Sequence, residues 1–260
     1  MGSNITVKIF QDKCTGCGLC ANDCPRYVLE MRDGKAILLD DDCLKCGHCF
    51  AICPENAILL EGIEDNILEK GNSAKVVDAD SLKAHLKLRR SVRQYQNKPV
   101  ERIKLEKTIE AGRLAPTGNN LQNVRYVVIQ NGIDELEDKI IEQYKALGKQ
   151  QGVLDSTDIS KHKFKRGFLF HGAPALILVI SENHTNACLA SMGMELMAEA
   201  LGLGALYVGL FSRPANQNEI IRKSFDLTKK ENIVICLALG YPAVTYRRSA
   251  PKKPANIIWR

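Results

Sequence analysis

Two copies of one cysteine pattern constrain this chain more than any other feature. The first reads Cys14-Thr-Gly-Cys17-Gly-Leu-Cys20-Ala-Asn-Asp-Cys24-Pro25, and the second Cys43-Leu-Lys-Cys46-Gly-His-Cys49-Phe-Ala-Ile-Cys53-Pro54. Three thiolates separated by two residues each wrap one iron–sulfur cube, whereas the fourth cannot fold back onto it and serves the cube of the other copy. One cluster is therefore expected on Cys14, Cys17, Cys20 and Cys53, and a second on Cys43, Cys46, Cys49 and Cys24. Gly16, Gly18 and Gly47 lie inside the loops, where the absence of a Cβ allows tight turns that aim amides at the sulfurs. Pro25 and Pro54 end the loops. Zinc knuckles group their ligands two and two, and a disulfide framework has no use for a doubled three-plus-one grouping, so neither fits.

The segments around the loops read as short strands. Ile5, Val7 and Ile9 alternate, and Ala36–Leu39 and Ala57–Leu60 have the same character. The repeat implies pseudo-twofold symmetry. Residues 1–62 resemble the bacterial two-[4Fe-4S] ferredoxins, and the resemblance covers every cluster ligand.

At 260 residues the chain is several times longer than such a module, so a second globular domain must follow, with 45% hydrophobic residues to fill it. Eight of the ten cysteines belong to the clusters; Cys188 and Cys236 sit in apolar segments and read as buried filler. This usage implies a reducing, intracellular setting. No signal peptide and no membrane-length apolar run is visible, so a cytoplasmic protein without a membrane partner is expected. The net charge of +6 is unevenly divided: residues 1–62 carry six bases against nine acids, or −3, which leaves +9 on the remainder. A basic second domain suits an anionic cofactor. Its Lys and Arg residues are interspersed with Asp and Glu and carry no recognition motif, which argues against a nucleic-acid partner.

Residues 63–79 mix polar residues with a Gly-Asn-Ser turn and no period, and read as a linker. Asp80 or Ser81 then caps a helix carrying Leu82, Leu86 and Leu88. A second helix spans Ile103–Leu114, followed by a strand over Val124–Ile129 and a helix marked by Leu136, Ile140, Tyr144 and Leu147. Residues 148–165 are long, polar and patternless, as in a lid. Ala175–Ile180 reads as a fully buried strand, Cys188–Leu201 as the most apolar helix, Glu219–Phe225 as a short helix, and Ile233–Leu239 as a last buried strand. The tail from Pro251 is extended, and its Ile257-Ile258-Trp259 end calls for a partner surface. Helices and strands intermix without a regular βαβ rhythm, so residues 80–260 read as an α+β domain.

Arg89, Arg90, Ser91 and Arg93 bring guanidinium forks and a hydroxyl to a helix end, chemistry suited to a phosphate monoester, although such a cluster alone is commonly a solvated helix terminus. The Gly202–Phe211 stretch is no dinucleotide fingerprint, because it follows a helix and has Tyr207 where the third glycine belongs. The order of four motifs is more telling: Arg89-Arg90-Ser91-Val92-Arg93-Gln-Tyr95, Ala115-Pro116-Thr-Gly-Asn-Asn120-Leu-Gln122, Gly202-Leu-Gly-Ala-Leu-Tyr-Val-Gly209-Leu-Phe211 and Leu239-Gly240-Tyr-Pro242. In this order they resemble the nitroreductase family over residues 82–260, and the whole chain resembles a ferredoxin-fused nitroreductase. The resemblance implies an α+β sandwich, FMN at a homodimer interface and a C-terminal arm over the partner. It implies that Arg89, Ser91 and Arg93 hold the FMN phosphate, with Arg90 nearby and Lys252 closing over it; Arg247, Arg248 and Lys253 compete for the place of Lys252. It further implies that Pro116, Thr117, Gly118 and Asn120 face the flavin ring from the other subunit, and that Gly209 and Leu210 present backbone amides near flavin N5. Where the family often has Pro-Trp, this chain has Asn123-Val124, which makes the substrate wall less aromatic.

None of the five histidines pairs with a candidate nucleophile in the sequence, so no catalytic side chain is named. The expected function is an oxidoreductase passing electrons from a low-potential donor, such as a ferredoxin, through two [4Fe-4S] clusters to FMN and on to a nitroaromatic or similar small acceptor. The alternatives are an electron carrier serving a protein partner, or a reductase of quinones, enones or halogenated phenols.

Overall fold

In the computed structural model the alternating run at the start of the chain forms β1 (Thr6–Ile9), which pairs antiparallel with β4 (Ile58–Glu61) from Thr6↔Glu61 to Ile9↔Ile58. The structure describes residues 5–39, 42–69, 77–151 and 167–260. The chain divides into two units, residues 1–76 with Gly118–Leu121, and residues 77–117 with 122–260.

In the first unit, β2 (Leu29–Arg32) and β3 (Lys35–Leu38) form a hairpin through Asp33 and Gly34. Both turn residues have positive φ, 50° and 74°, the geometry that matches a two-residue turn to the twist of its strands. The sequence reading passed over β2. Each cysteine loop runs into a short helix, α1 (Leu19–Asn22) or α2 (His48–Ile52), through a glycine at φ 77°, Gly18 or Gly47. Val28, Leu29, Ala36 and Ile58 form the unit's small core with Cys20 and Cys24.

The second unit is built on a four-stranded antiparallel sheet ordered β5 (Arg125–Ile129), β6 (Ala175–Ser181), β8 (Asn232–Gly240), β7 (Gly204–Tyr207). All seven residues of β6 are buried, as its continuous apolar run requires. Leu176, Leu178 and Ile180 pack on one face with Ile140, Phe170 and Phe211. Ala175, Ile177 and Val179 pack on the other with Leu105, Met194 and Ala198. At about 1.5–3 kcal/mol for each large aliphatic buried, the two faces make β6 the stability centre of the unit.

Helices α3 (Ala79–Leu88), α4 (Arg102–Arg113), α5 (Ile133–Gln151), α6 (His184–Ala200), α7 (Ser212–Asn216) and α8 (Glu219–Ser224) surround the sheet. The cap of α3 is Asp78, which accepts from Ser81 N at 2.9 Å, rather than Asp80 or Ser81. Helix α6 starts four residues before Cys188, because the Asn183 side chain caps it by accepting from Asn186 N. It crosses α4 closely: a Cβ on Gly112 would stand 2.8 Å from Met194 Cγ, and one on Gly193 would stand 2.9 Å from Ala111 O. Helix α5 extends to Gln151 into the segment read as a lid, and the rest of that segment, residues 152–165, lies outside the described residues. Cys236 is buried, but Cys188 is only half-buried, with its Sγ 3.5 Å from His184 Nδ1 one turn earlier, so it is not core filler. Beyond β8 the chain runs without helix or strand to its end, where Trp259 is 88% exposed. Among the described residues no helix is long and apolar enough to cross a membrane.

Candidate functional site

In the first unit, Cys24 reaches across to the second cysteine loop. It lines one cavity with Cys43, Cys46 and Cys49, closed by Pro25, Leu44 and Gly47. These four thiols come from two distant stretches of sequence and are the set expected for the second cluster. Burial pushes the Cys49 thiol up to about 11, with Cys43 and Cys46 adding to the rise. In the other loop Cys20 is likewise raised, first by burial and then by its neighbours Cys14 and Cys17. Amides aim at the sulfurs as expected: Ala36 N donates to Cys14 Sγ at 3.5 Å, Ala57 N to Cys53 Sγ at 3.3 Å and Lys45 N to Cys43 Sγ at 3.4 Å. The bond from Ala36 lowers the Cys14 thiol toward thiolate, the form that ligates iron. Among the described residues no group of three or more His, Cys, Asp or Glu side chains is arranged around a single metal ion. Thiol chemistry, the grouping of Cys24 with the other loop and amides directed at sulfur fit [4Fe-4S] clusters.

In the second unit, three of the four sequence motifs meet in space. Ser91 bridges to Ala205 on β7, and Val92 N donates to Ala205 O at 3.0 Å. A Cβ on Gly204 would stand 2.5 Å from Val92 Cγ2, so that glycine is what lets the arginine-rich segment lie against the strand. Tyr95 bridges to Pro242, and its hydroxyl donates to Val92 O and Ala238 O at 2.9 and 3.2 Å. The motif order in the sequence thus reflects one docking arrangement around the end of β7 and β8.

Between α3 and the tail lies a cleft of ≈ 550 Å³ lined by Arg89, Arg90, Lys83 and Lys87, with Leu82 and Leu86, and, from the tail, Lys252. Lys83 and Lys87, one helical turn apart on α3, escaped the sequence reading, although their i, i+4 spacing was visible. Arg247, Arg248 and Lys253, the rivals of Lys252, are not among the lining residues. Arg89 is tied to Glu195, its Nη1 2.5 Å from Oε1, with the carboxylate only 3% exposed. Glu199 lies one turn on, its carboxyl raised by burial against the pull of His85 and Arg89, and its Oε2 is buried without a hydrogen-bond partner among the described residues. His85 Nε2 donates to Leu196 O at 3.1 Å and stands 3.8 Å from Glu199 Oε2. Burial, with help from Glu195, pushes the Tyr207 hydroxyl up to about 12. Nothing in the sequence pattern flagged Glu195, because its role comes from the crossing of α6 behind the arginine segment. Arg90 lies 5.7 Å from the Tyr246 ring, a cation–π contact.

The other expected flavin residues are distributed differently. Ser91, Arg93, Gly209 and Leu210 are not in the cleft lining; the charge of Arg93 acts on Tyr95 and on His171, whose imidazole is lowered first by burial and then by Arg93. Pro116 and Thr117 belong to the second unit, where Thr117 Oγ1 accepts from Gln122 N at 2.9 Å. Gly118 and Asn120 belong to the first, where Asn120 Nδ2 donates to Leu44 O and Lys45 O at 3.2 and 3.0 Å. Gly209 and Leu210 are exposed in the turn after β7, and neither backbone amide has a hydrogen-bond partner among the described residues. A cationic cleft of this size and two open amides suit a phosphorylated, ring-bearing cofactor such as FMN.

Comparison with known proteins agrees with this architecture. A nitroreductase-family model matches residues 86–241, and a 4Fe-4S dicluster domain model matches residues 13–61. A provisionally named NADH dehydrogenase/NAD(P)H nitroreductase of Methanothermobacter thermautotrophicus is 28% identical over 173 residues, which cover 65% of this chain and 81% of that protein. An iodotyrosine deiodinase of Hydra vulgaris is 27% identical over 188 residues, covering 65% of this chain and 68% of that one. The crystal structure of a Bacteroides fragilis nitroreductase with bound FMN has the same fold, with TM-score 0.58, 22% identity and coverage of 68% of this chain and 98% of the other. The family match spans more than half the chain, and the sheet and motif docking agree with it: the chain belongs to the nitroreductase family and carries a 4Fe-4S dicluster domain ahead of the nitroreductase domain.

Proposed function

We propose that this chain is an FMN- and iron–sulfur-dependent reductase that takes electrons from a low-potential donor, such as a reduced ferredoxin, and delivers them to a nitroaromatic or similar small acceptor. The observation that carries the reading is the convergence of Arg89 and Arg90 with Lys252, from opposite ends of the second unit, on one cationic cleft. When bound, two [4Fe-4S] clusters carry single electrons and FMN gathers them for a two-electron reduction. The residues of this chain supply the holding and the electrostatics. Arg90 and Lys252 meet the FMN phosphate with Ser91, while Arg89 reaches it from its anchor on Glu195. Gly209 and Leu210 offer amides to the negative charge that develops on the ring. Pro116, Thr117 and Gly118 border the ring, and Asn120 steadies the Cys43–Cys46 loop through Leu44 O and Lys45 O. A domain division of 1–62, a 63–79 linker and 80–260 goes with this reading.

We assign the assembly as a homodimer. Leu82 and Leu86 on α3, Leu189 and Met192 on α6, and Ile257, Ile258 and Trp259 in the tail are exposed apolar residues that a second copy would cover. The test of the cofactor reading is the Arg90→Ala/Lys252→Ala variant, which should purify with its iron but with little flavin; full flavin occupancy would contradict it.

A second acceptor class is favoured by the relative named as an iodotyrosine deiodinase: halogenated phenols, reduced with release of halide. Anaerobic assays of the reduced protein with a nitroaromatic and with a halophenol, following amine or hydroxylamine in one and free halide in the other, separate the two. Reoxidation by neither would favour an electron carrier for a protein partner.

A further inference from the structure

The two cysteine loops are repeats, so a feature present at one and missing at the other bears on how they differ in use. The repeat holds in three dimensions: Phe10 N donates to Ala57 O at 2.8 Å, and the equivalent Leu39 N donates to Val28 O at 2.8 Å. Against that background the surroundings of the loops differ in charge and cover. Lys35, at the start of β3, donates from Nζ to Cys14 O at 2.5 Å in a half-buried setting. The position equivalent to Lys35 before the first loop is Thr6, a neutral residue whose hydroxyl donates to Glu61. The β2–β3 hairpin also presses on the first loop: a Cβ on Gly16 would stand 2.1 Å from Gly34 O. The second loop has Lys45 at the equivalent place, at φ 53°. The amides of Ala36 and Ala57 donate to Cys14 and Cys53 in the first set, with those of Gly16 and Ala21 also acting on Cys14 and Cys20, whereas the amides of Lys45 and Phe50 serve Cys43 and Cys49 in the other.

We propose that Lys35 and the hairpin that carries it make the cluster on Cys14, Cys17, Cys20 and Cys53 the higher-potential one, so that electrons entering the pair settle there first. The proposal rests on the two-cluster reading above. Reduction adds negative charge to a cluster, and a nearby ammonium with more N–H···S bonds stabilises the reduced form, which raises the potential. Lys35 and Lys45 are both half-buried, and what sets Lys35 apart is that its ammonium is held on the carbonyl of a ligand residue, Cys14 O.

The test is a potentiometric titration of the anaerobic, full-length protein followed by electron paramagnetic resonance, after an iron count. The Cys46→Ser variant identifies the wave of the second cluster as the one it removes or alters. Two separate waves are expected, the higher being the one that survives in C46S. Lys35→Gln should lower that wave by about tenfold in the reduced-to-oxidised ratio at fixed potential, about 59 mV for a one-electron couple, and leave the other in place. Lys35→Arg should restore it, and Lys8→Gln, which removes an exposed charge on β1, should move neither wave by as much. Coincident waves, or a K35Q variant with about eight irons and unmoved waves, would overturn the assignment alone. An iron count sufficient for only one cluster would overturn the two-cluster reading and this proposal with it.

Discussion

The two units gather their functional groups in opposite ways. In the first, all eight thiols fall between Cys14 and Cys53, each presented by a loop with its own glycine turn. In the second, the cleft joins residues 79–90 to residues 249–252, and one of its arginines is positioned by Glu195 on a helix far from both in sequence. A metal cluster is fixed by local spacing, because its ligands must surround an object of set size. An anion site needs only positive charge brought to one place, and tertiary docking can bring it from anywhere.

The sharpest way to break this comparison is to remove one thiol. Cys46→Ser should eliminate the second cluster, reducing iron from about eight to about four per chain, while FMN stays near wild-type stoichiometry, because the cationic residues of the cleft, Arg89, Arg90 and Lys252, lie outside that loop. Metal and flavin analysis of the same sample decides it, and loss of both cofactors would show that the units are not independent.

Next in size is Arg89. Its removal leaves Glu195, almost fully buried, without its counter-charge, which should cost about 3 kcal/mol, the lower end for a broken buried pair because a quarter of Arg89 is exposed. Thermal or denaturant unfolding of Arg89→Gln should register that loss, and adding Glu195→Gln should recover most of it. If the double variant is no more stable than R89Q, Glu195 is not the anchor.

Arg90 and Lys252 line the same cleft without a buried partner, so their loss should spare stability and act on the ligand. Each charge-assisted bond is worth about 1.5–3 kcal/mol, so each alanine variant should weaken FMN binding about tenfold or more, measured by flavin fluorescence. The smallest effect is expected from Asp78→Ala, which removes the exposed cap of α3 and frays the turn ahead of Lys83 and Lys87. Its FMN affinity should fall by less than that of either cleft variant.

This ordering follows what was legible in the sequence. The grouping of Cys24 with the second loop was legible because spacing limits which thiols can share a cube, and one cavity holds Cys24 with Cys43, Cys46 and Cys49. The sheet strands were readable from apolar runs, β6 most clearly. The cap of α3 is Asp78 rather than Asp80 or Ser81, because only backbone geometry selects the residue whose side chain reaches Ser81 N. Cys188 was misread because its apolar neighbours say nothing about which face of α6 it occupies. Glu195 and the dispersal of Pro116–Asn120 over both units were not legible at all, since both depend on how distant segments cross.

The central claim is that electrons enter through the cysteine-bearing unit before they serve the nitroreductase unit. Stopped-flow absorbance under strict anaerobiosis, mixing the oxidised protein with a reduced low-potential ferredoxin or with NAD(P)H, tests it directly. The account predicts that reduced ferredoxin bleaches the iron–sulfur absorbance first and the flavin absorbance after it, much faster than NAD(P)H bleaches either. Rapid bleaching of the flavin by NAD(P)H, with the iron–sulfur absorbance lagging behind, would contradict it and make the clusters an exit rather than an entrance.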